Sequence, residues 1–188
     1  MQAFTDGMSK SLTDSGEETA RNTPSLFNLA INPGVAAGWI GQTESTEEQN
    51  GFALLNEMLA VPEQLSATIN GNETYQQGFV NLFGSATTPS NVLDRTKKVL
   101  DAYVLSQISE DTNADLQNQF PESSYLTQQQ LNGKKLFFGK ARCAGCHAGS
   151  TFTDNQFHNN GFFTDQQLAK GLNGARLVKT PSLRNLGQ

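Results

Sequence analysis

Apolar and polar positions alternate with helical spacing only in the middle of this chain. Pro62 to Ile69 and Glu73 to Phe83 read as two short helices parted by Asn70-Gly71-Asn72. Pro89 to Ile108 carries Val92, Leu93, Val99, Leu100, Tyr103 and Val104 at helical spacing, which makes them core positions. Thr127-Gln128-Gln129-Gln130 is a capping box, a Thr N-cap followed three residues later by Gln, and predicts a helix through about Phe138 that Gly139 can end. The segments before Glu48 and after Ala148 are rich in Gly, Asn, Thr and Ser and show little periodicity. By themselves they read as loops.

Composition narrows the classes. The 188 residues suffice for one large or two small domains, and at 36% hydrophobic with 16% charged they predict a modest core. A net charge of -5 argues against a general nucleic-acid surface. Acidic groups at Asp14 to Glu18 and Glu44 to Glu48 read as solvated faces. The basic group Lys134, Lys135, Lys140 and Arg142 is either solvated helix surface or a guide for a donor protein. No apolar run approaches the roughly 18 residues of a membrane span, and no signal peptide begins at Met1.

The strongest chemistry lies in Cys143-Ala144-Gly145-Cys146-His147, which uses both cysteines of the chain. C-x-x-C-H is the attachment pattern of a c-type haem: two thioethers to the porphyrin vinyls and an adjacent imidazole for the iron. A zinc site built from Cys143, Cys146, His147 and the distant His158 is an alternative, as is a disulfide. A thioredoxin-like pair would need a strand context that Gly139 to Arg142 and Ala148 to Ser150 do not offer.

Two short segments also recur in the same order. Phe4-Thr5-Asp6 returns as Phe152-Thr153-Asp154, and Thr23-Pro24-Ser25-Leu26-Phe27-Asn28 returns as Thr180-Pro181-Ser182-Leu183-Arg184-Asn185. Ordered self-similarity marks a duplicated unit. His147 stands five positions before Phe152, and the same offset from Phe4 falls upstream of Met1, so a first C-x-x-C-H is expected there.

These residues carry a family resemblance. Arg21 to Asn28, Trp39 with Gly41, Asn56-Glu57-Met58, Gly139-Lys140-Ala141 ahead of the cysteines, Phe152 to Asn155, Phe157 to Gly161 and Lys179 to Asn185 stand in the order of the bacterial di-haem cytochrome c peroxidases. That family includes the related enzymes that mature methylamine dehydrogenase. The resemblance implies a mainly α fold of cytochrome c-like haem domains with long ordered loops. Residues 1–110 would be the remnant of the N-terminal peroxidatic domain without its C-x-x-C-H. Residues 111–188 would be the electron-transfer domain, with the C-terminal haem domain incomplete. The chain is expected to be an interior piece of such a protein.

The same resemblance implies roles. Glu57 matches the distal acid-base residue and Gln49 its companion, although Glu57 also reads as an exposed helix-end carboxylate. Trp39 matches an indole between the haems, in Gly38-Trp39-Ile40-Gly41-Gln42 where the family has Phe-Trp-Asp-Gly-Arg; a packed aromatic is the other reading. Asn22, with carbonyls at Lys179 to Pro181, matches a Ca²⁺ site between the domains. Haem c is expected on Cys143, Cys146 and His147, one in this chain and two in the parent. Met1, Met8 and Met58 lie outside the haem domain, and His158 is a candidate sixth ligand that the family pattern instead places in a loop.

The implied partners are hydrogen peroxide, a small electron-donor protein (a cytochrome c or a cupredoxin) and a second copy in a homodimer, with no nucleic acid and no membrane span. Covalent haem attachment in bacteria takes place outside the cytoplasm, so a periplasmic location is expected, with the export signal outside this chain. Two functions remain open. One is a di-haem cytochrome c peroxidase that reduces peroxide to water. The other is a mono-haem electron-transfer protein without peroxide chemistry.

Overall fold

The computed structural model describes residues 4–31, 38–159, 161 and 177–186. Met1 and Asn160 lie outside them. The architecture is mainly α: six α-helices and one two-stranded ribbon among the described residues.

Local chemistry sets each helix start. Helix α1 (Thr46–Phe52) begins at Ser45, whose hydroxyl accepts from the Glu48 N–H at 3.1 Å, and Glu47 and Glu48 lie in its first turn, where the helix dipole favours anions. It runs into a single π-helical turn, Ala53–Glu57, a form that recurs at functional sites. Helix α2 (Pro62–Gly71) starts on a proline, which suits a first position that lacks a hydrogen-bond partner. Helix α3 (Glu73–Phe83) is capped by Asn72, whose Oδ1 accepts from the Tyr75 N–H, and ends at Gly84 in the left-handed region, φ 74°. The predicted break thus narrows to Asn72 alone, because the backbone carries Gly71 as the last turn of α2.

Helix α4 (Val92–Leu105) is shorter than Pro89 to Ile108 at both ends. Asn91 Oδ1 accepts from the Thr88 N–H at 2.9 Å and folds Thr88 to Asn91 into a turn, while at the far end the Ser106 hydroxyl and the Gln107 amide both donate to the Tyr103 carbonyl. Val92 and Val104 are buried as expected, but Tyr103 is 53% exposed, lying on the flank of the helix with its ring edge-on to Phe4. Thr96 takes a core place instead.

The core is as modest as composition predicted. Among the described residues the buried apolar side chains are Leu54, Ile69, Val92, Val104 and Val178. Four of them come from the π turn, α2 and α4. Helix α1 lies against α4, where the Thr46 hydroxyl bonds Asp101 and Lys97 pairs with Glu47 at 3.7 Å. Gly51 permits that approach, since a Cβ there would sit 2.6 Å from the Lys97 side chain.

Helices α5 (Asn113–Gln119) and α6 (Gln128–Phe138) lead to the cysteine motif. Buried Gln117 accepts from the Tyr125 and Leu126 N–H groups and donates to the Pro121 carbonyl, which fixes the connection between them. Strands β1 (Phe157–His158) and β2 (Val178–Lys179) pair antiparallel, Phe157 opposite Lys179. The described loops are ordered by hydrogen bonds rather than by a core. Ser11, Thr13, Thr19 and Arg21 tie one into a hairpin-like turn, whose Asp14 N–H reaches the Glu57 carbonyl.

Candidate functional site

The motif is presented by the end of α6. The predicted capping box is present: Thr127 Oγ1 accepts from the Gln130 N–H at 3.3 Å, and Gln130 Oε1 accepts from the Thr127 N–H at 2.8 Å. The helix ends at Gly139, whose conformation there requires glycine because a Cβ would lie 2.5 Å from the Lys135 carbonyl oxygen. Arg142, left-handed at φ 57°, then turns the chain into a 3₁₀ turn over Cys143–Gly145. The His147 N–H donates to the Cys143 carbonyl at 2.9 Å, so the imidazole follows the first thiol by one helical turn.

His147 is held by one ring nitrogen only. Its Nδ1 lies 3.0 Å from the Phe152 carbonyl oxygen, which fixes the tautomer with the proton on Nδ1. Nε2 has no hydrogen-bond partner among the described residues, so its lone pair is available to a metal. This is the arrangement of a ligating histidine oriented by a backbone carbonyl. Both cysteines are free thiols, with Cys143 exposed and Cys146 half-buried. Leu136 and Phe138 are about half exposed at the end of α6, and a cavity of about 350 Å³ between α5 and α6, lined by Leu126, Phe137, Phe138 and Leu183, reaches Phe152, whose carbonyl holds His147. Two free thiols, an oriented imidazole and apolar surroundings fit a covalently held porphyrin.

The zinc quartet is not assembled. The cluster that gathers within 4.8 Å is Cys146, Asp154 and His158, without Cys143 or His147. His158 Nε2 lies 2.8 Å from Asp154 Oδ2 and is occupied there. Burial raises the Asp154 carboxyl, but the Gln156 amide, the His158 ring and Thr180 outweigh it and hold Asp154 below the usual carboxylate range.

The two repeats fold alike. Phe4 and Phe152 are both left-handed, at φ 60° and 52°, as are Asn28 and Asn185, each at φ 63°. Asp6 accepts from the Met8 N–H at 3.0 Å as Asp154 accepts from the Gln156 N–H at 2.9 Å. Ser25 accepts from the Phe27 N–H as Ser182 accepts from the Arg184 N–H. Ser109 joins the copies, its N–H donating to Asn28 Oδ1 and its hydroxyl to Asn185 Oδ1.

Between the two Thr-Pro segments lies a cavity of about 450 Å³ that Trp39, Asn22 and Gln49 help to line. The Trp39 indole N–H donates to the Asn22 carbonyl at 2.9 Å, and its own carbonyl accepts from the Lys179 N–H at 2.8 Å. Burial lowers the Lys179 ammonium pKa there. Gln49 Oε1 accepts from the Thr43 hydroxyl at 3.2 Å. Glu57 is not in this cavity: it ends the π turn, half-buried, its carboxylate without a hydrogen bond or ion pair among the described residues, next to the 63% exposed Met58.

Three residues escaped the sequence reading. The Phe152 carbonyl has no sequence signal, since any residue could supply it. Asp115 forms a second capping box with Thr112, legible as Thr-x-x-Asp. Arg184, only 8% exposed, binds Asp115 through both terminal nitrogens at 2.9 and 2.6 Å. Its signal was the single position at which Thr-Pro-Ser-Leu-x-Asn changes from Phe27 to a cation. The Arg184 guanidinium, aided by Thr112 and opposed by burial, lowers the Asp115 pKa from 3.8 to about 2.

The mainly α fold around a C-x-x-C-H with an oriented histidine defines the cytochrome c class of proteins. Residues 1–120 match the family model of the di-haem cytochrome c peroxidases, and the chain belongs to that family. Membership implies c-type haem. The chain is 29% identical over 192 residues to the methylamine utilization protein MauG of Methylorubrum extorquens, covering 97% of this chain and 53% of that protein. It is 25% identical over 177 residues to a cytochrome-c peroxidase of Denitromonas iodatirespirans, covering 92% of this chain and 46% of that one. The chain thus spans about half the length of these relatives. A crystal structure of a MauG-like protein associated with microbial copper homeostasis superposes with a TM-score of 0.76 at 23% identity, over 98% of this chain and 61% of that chain, and shows the same fold. No helix among the described residues is long and apolar enough to cross a membrane.

Proposed function

We propose that the chain carries one haem c, linked to Cys143 and Cys146 and ligated by His147, within a peroxidase that reduces hydrogen peroxide to water. The observation that supports this best is the His147 ring, tied through Nδ1 to the Phe152 carbonyl, with Nε2 unengaged among the described residues and both cysteines of the motif outside any disulfide. The matching Phe4 and Asp6 turn supports a second haem half-site on the N-terminal side, in keeping with a two-haem parent. In this reading residues 1–110 serve the peroxidatic haem and 111–188 the electron-transfer haem.

Bound haem supplies the redox iron; the chain supplies the rest. Reducing H₂O₂ to two waters consumes two electrons and two protons. Glu57, with its carboxylate unengaged, would take the proton from one peroxide oxygen and return it to the other. Gln49, which the family resemblance pairs with Glu57, would serve the same haem from the cavity of Trp39, and Trp39, bonded to both Thr-Pro segments, would lie on the path of electrons delivered by a small cytochrome c or cupredoxin. Asn22 and the nearby carbonyls offer the hard oxygen ligands of a Ca²⁺. An exported, periplasmic homodimer suits this chemistry.

The test is a haem count by intact mass and pyridine haemochrome on the full-length protein, followed by peroxide turnover. Thioether-linked haem is expected, with turnover that falls roughly 100-fold or more in Glu57→Gln while the haem spectrum is retained. A haem-bearing protein without peroxide turnover would instead be an electron carrier.

A further inference from the structure

We propose that Arg184, oriented by Asp115, is a positioning residue for the proximal side of the haem: it fixes the Ser150–Phe152 turn whose carbonyl holds His147. The inference rests on haem ligation by His147 and adds to it the device that sets the ligand's hydrogen bond.

Phe152 must be left-handed, at φ 52°, to aim its carbonyl at His147 Nδ1. A bulky side chain adopts that conformation only where its surroundings over-determine it. Arg184 supplies much of that determination. Its Nε donates to the Ser150 carbonyl at 2.7 Å, at the start of the turn, and its guanidinium lies 5.8 Å from the centre of the Phe152 ring, at the end. The remaining donors reach away from the turn: Nη1 to the Ser109 carbonyl at 3.1 Å, and both terminal nitrogens to Asp115 at the start of α5. A planar fork bound on both edges cannot swing, and the turn it holds cannot relax without breaking a paired ion. Ser182 adds a neighbouring tie, its hydroxyl donating to the Thr151 carbonyl at 2.6 Å.

The first repeat holds the same backbone by other means. Phe27 stands where Arg184 does and packs its ring, tilted by 58°, 5.3 Å from that of Phe4. Phe4 in turn meets Tyr103 of α4 edge-on, so ring packing ties this turn to α4, where the second repeat uses a paired guanidinium. The second copy alone couples its proximal turn to α5. A fixed acceptor on Nδ1 makes the imidazole a more basic ligand, which favours ferric iron and lowers the reduction potential.

The test uses Arg184→Phe, which copies the first repeat, Asp115→Asn, which is isosteric and leaves Arg184 in place, and the double variant. Each is made in the full-length haem-bearing protein, and the readouts are the midpoint potential of the His147 haem and the exchange rate of the His147 ring N–H by proton NMR. If Arg184 positions the turn, both single variants raise the potential and speed exchange, and the double variant shifts no further than Arg184→Phe alone. If the pair acted only through its charges, removing the cation would lower the potential and removing the anion would raise it. Shifts of opposite sign, or no shift in either variant, would overturn the clamp. Absence of thioether-linked haem from the unaltered protein would remove the haem reading itself, and the clamp with it.

Discussion

Asp115 ties the stability of this protein to acid. Its native pKa, about 2, lies below its ordinary 3.8, so the pair with Arg184 contributes fully above about pH 4, and that contribution is lost as the pH falls through about 2. The shift corresponds to on the order of 2 kcal/mol at neutral pH. Urea unfolding at a series of pH values should show that stability declining over this window in the native sequence. In Asp115→Asn it should already be missing at pH 7, with a flatter acid limb. At this scale the sequence was legible wherever side-chain identity carries the chemistry, as in Cys143, Cys146 and His147. It was silent where the backbone carries it, as at the Phe152 carbonyl.

Elements were legible where their ends announce themselves. The Thr127 capping box and Gly139 bound α6 as read, because both act through neighbours three or four residues away. Replacing Thr127 with Ala should cost about 1 kcal/mol. Thermal unfolding should show the lowered midpoint, and a helix α6 that frays from its N-terminus should appear as faster amide exchange at Gln130. The ends of α4 were misjudged because apolar spacing marks a face and not a terminus, and the side chains of Asn91, Ser106 and Gln107 compete for the backbone there. The π turn at Ala53–Glu57 left no trace in the periodicity, since five residues cannot display a period.

Across the whole molecule, Trp39 bonds to the backbones of both Thr-Pro segments, which line one cavity together. Trp39→Phe keeps an aromatic side chain but removes the N–H with its five-membered ring, and should cost about 1 kcal/mol or more in urea unfolding. It should also quicken amide exchange at Lys179, whose N–H bonds the Trp39 carbonyl. The sequence by itself determined the attachment motif, the duplication and the α character, because those are written in residue types and short spacings. Only the tertiary structure decided that His147 is oriented by Phe152, that Arg184 and Asp115 secure that turn, and that Glu57 stands apart from the cavity of Trp39 and Gln49. Those relations join residues up to about seventy positions apart (Asp115 and Arg184), and where the described residues bury so few apolar side chains such distances are set through hydrogen bonds that no local pattern records.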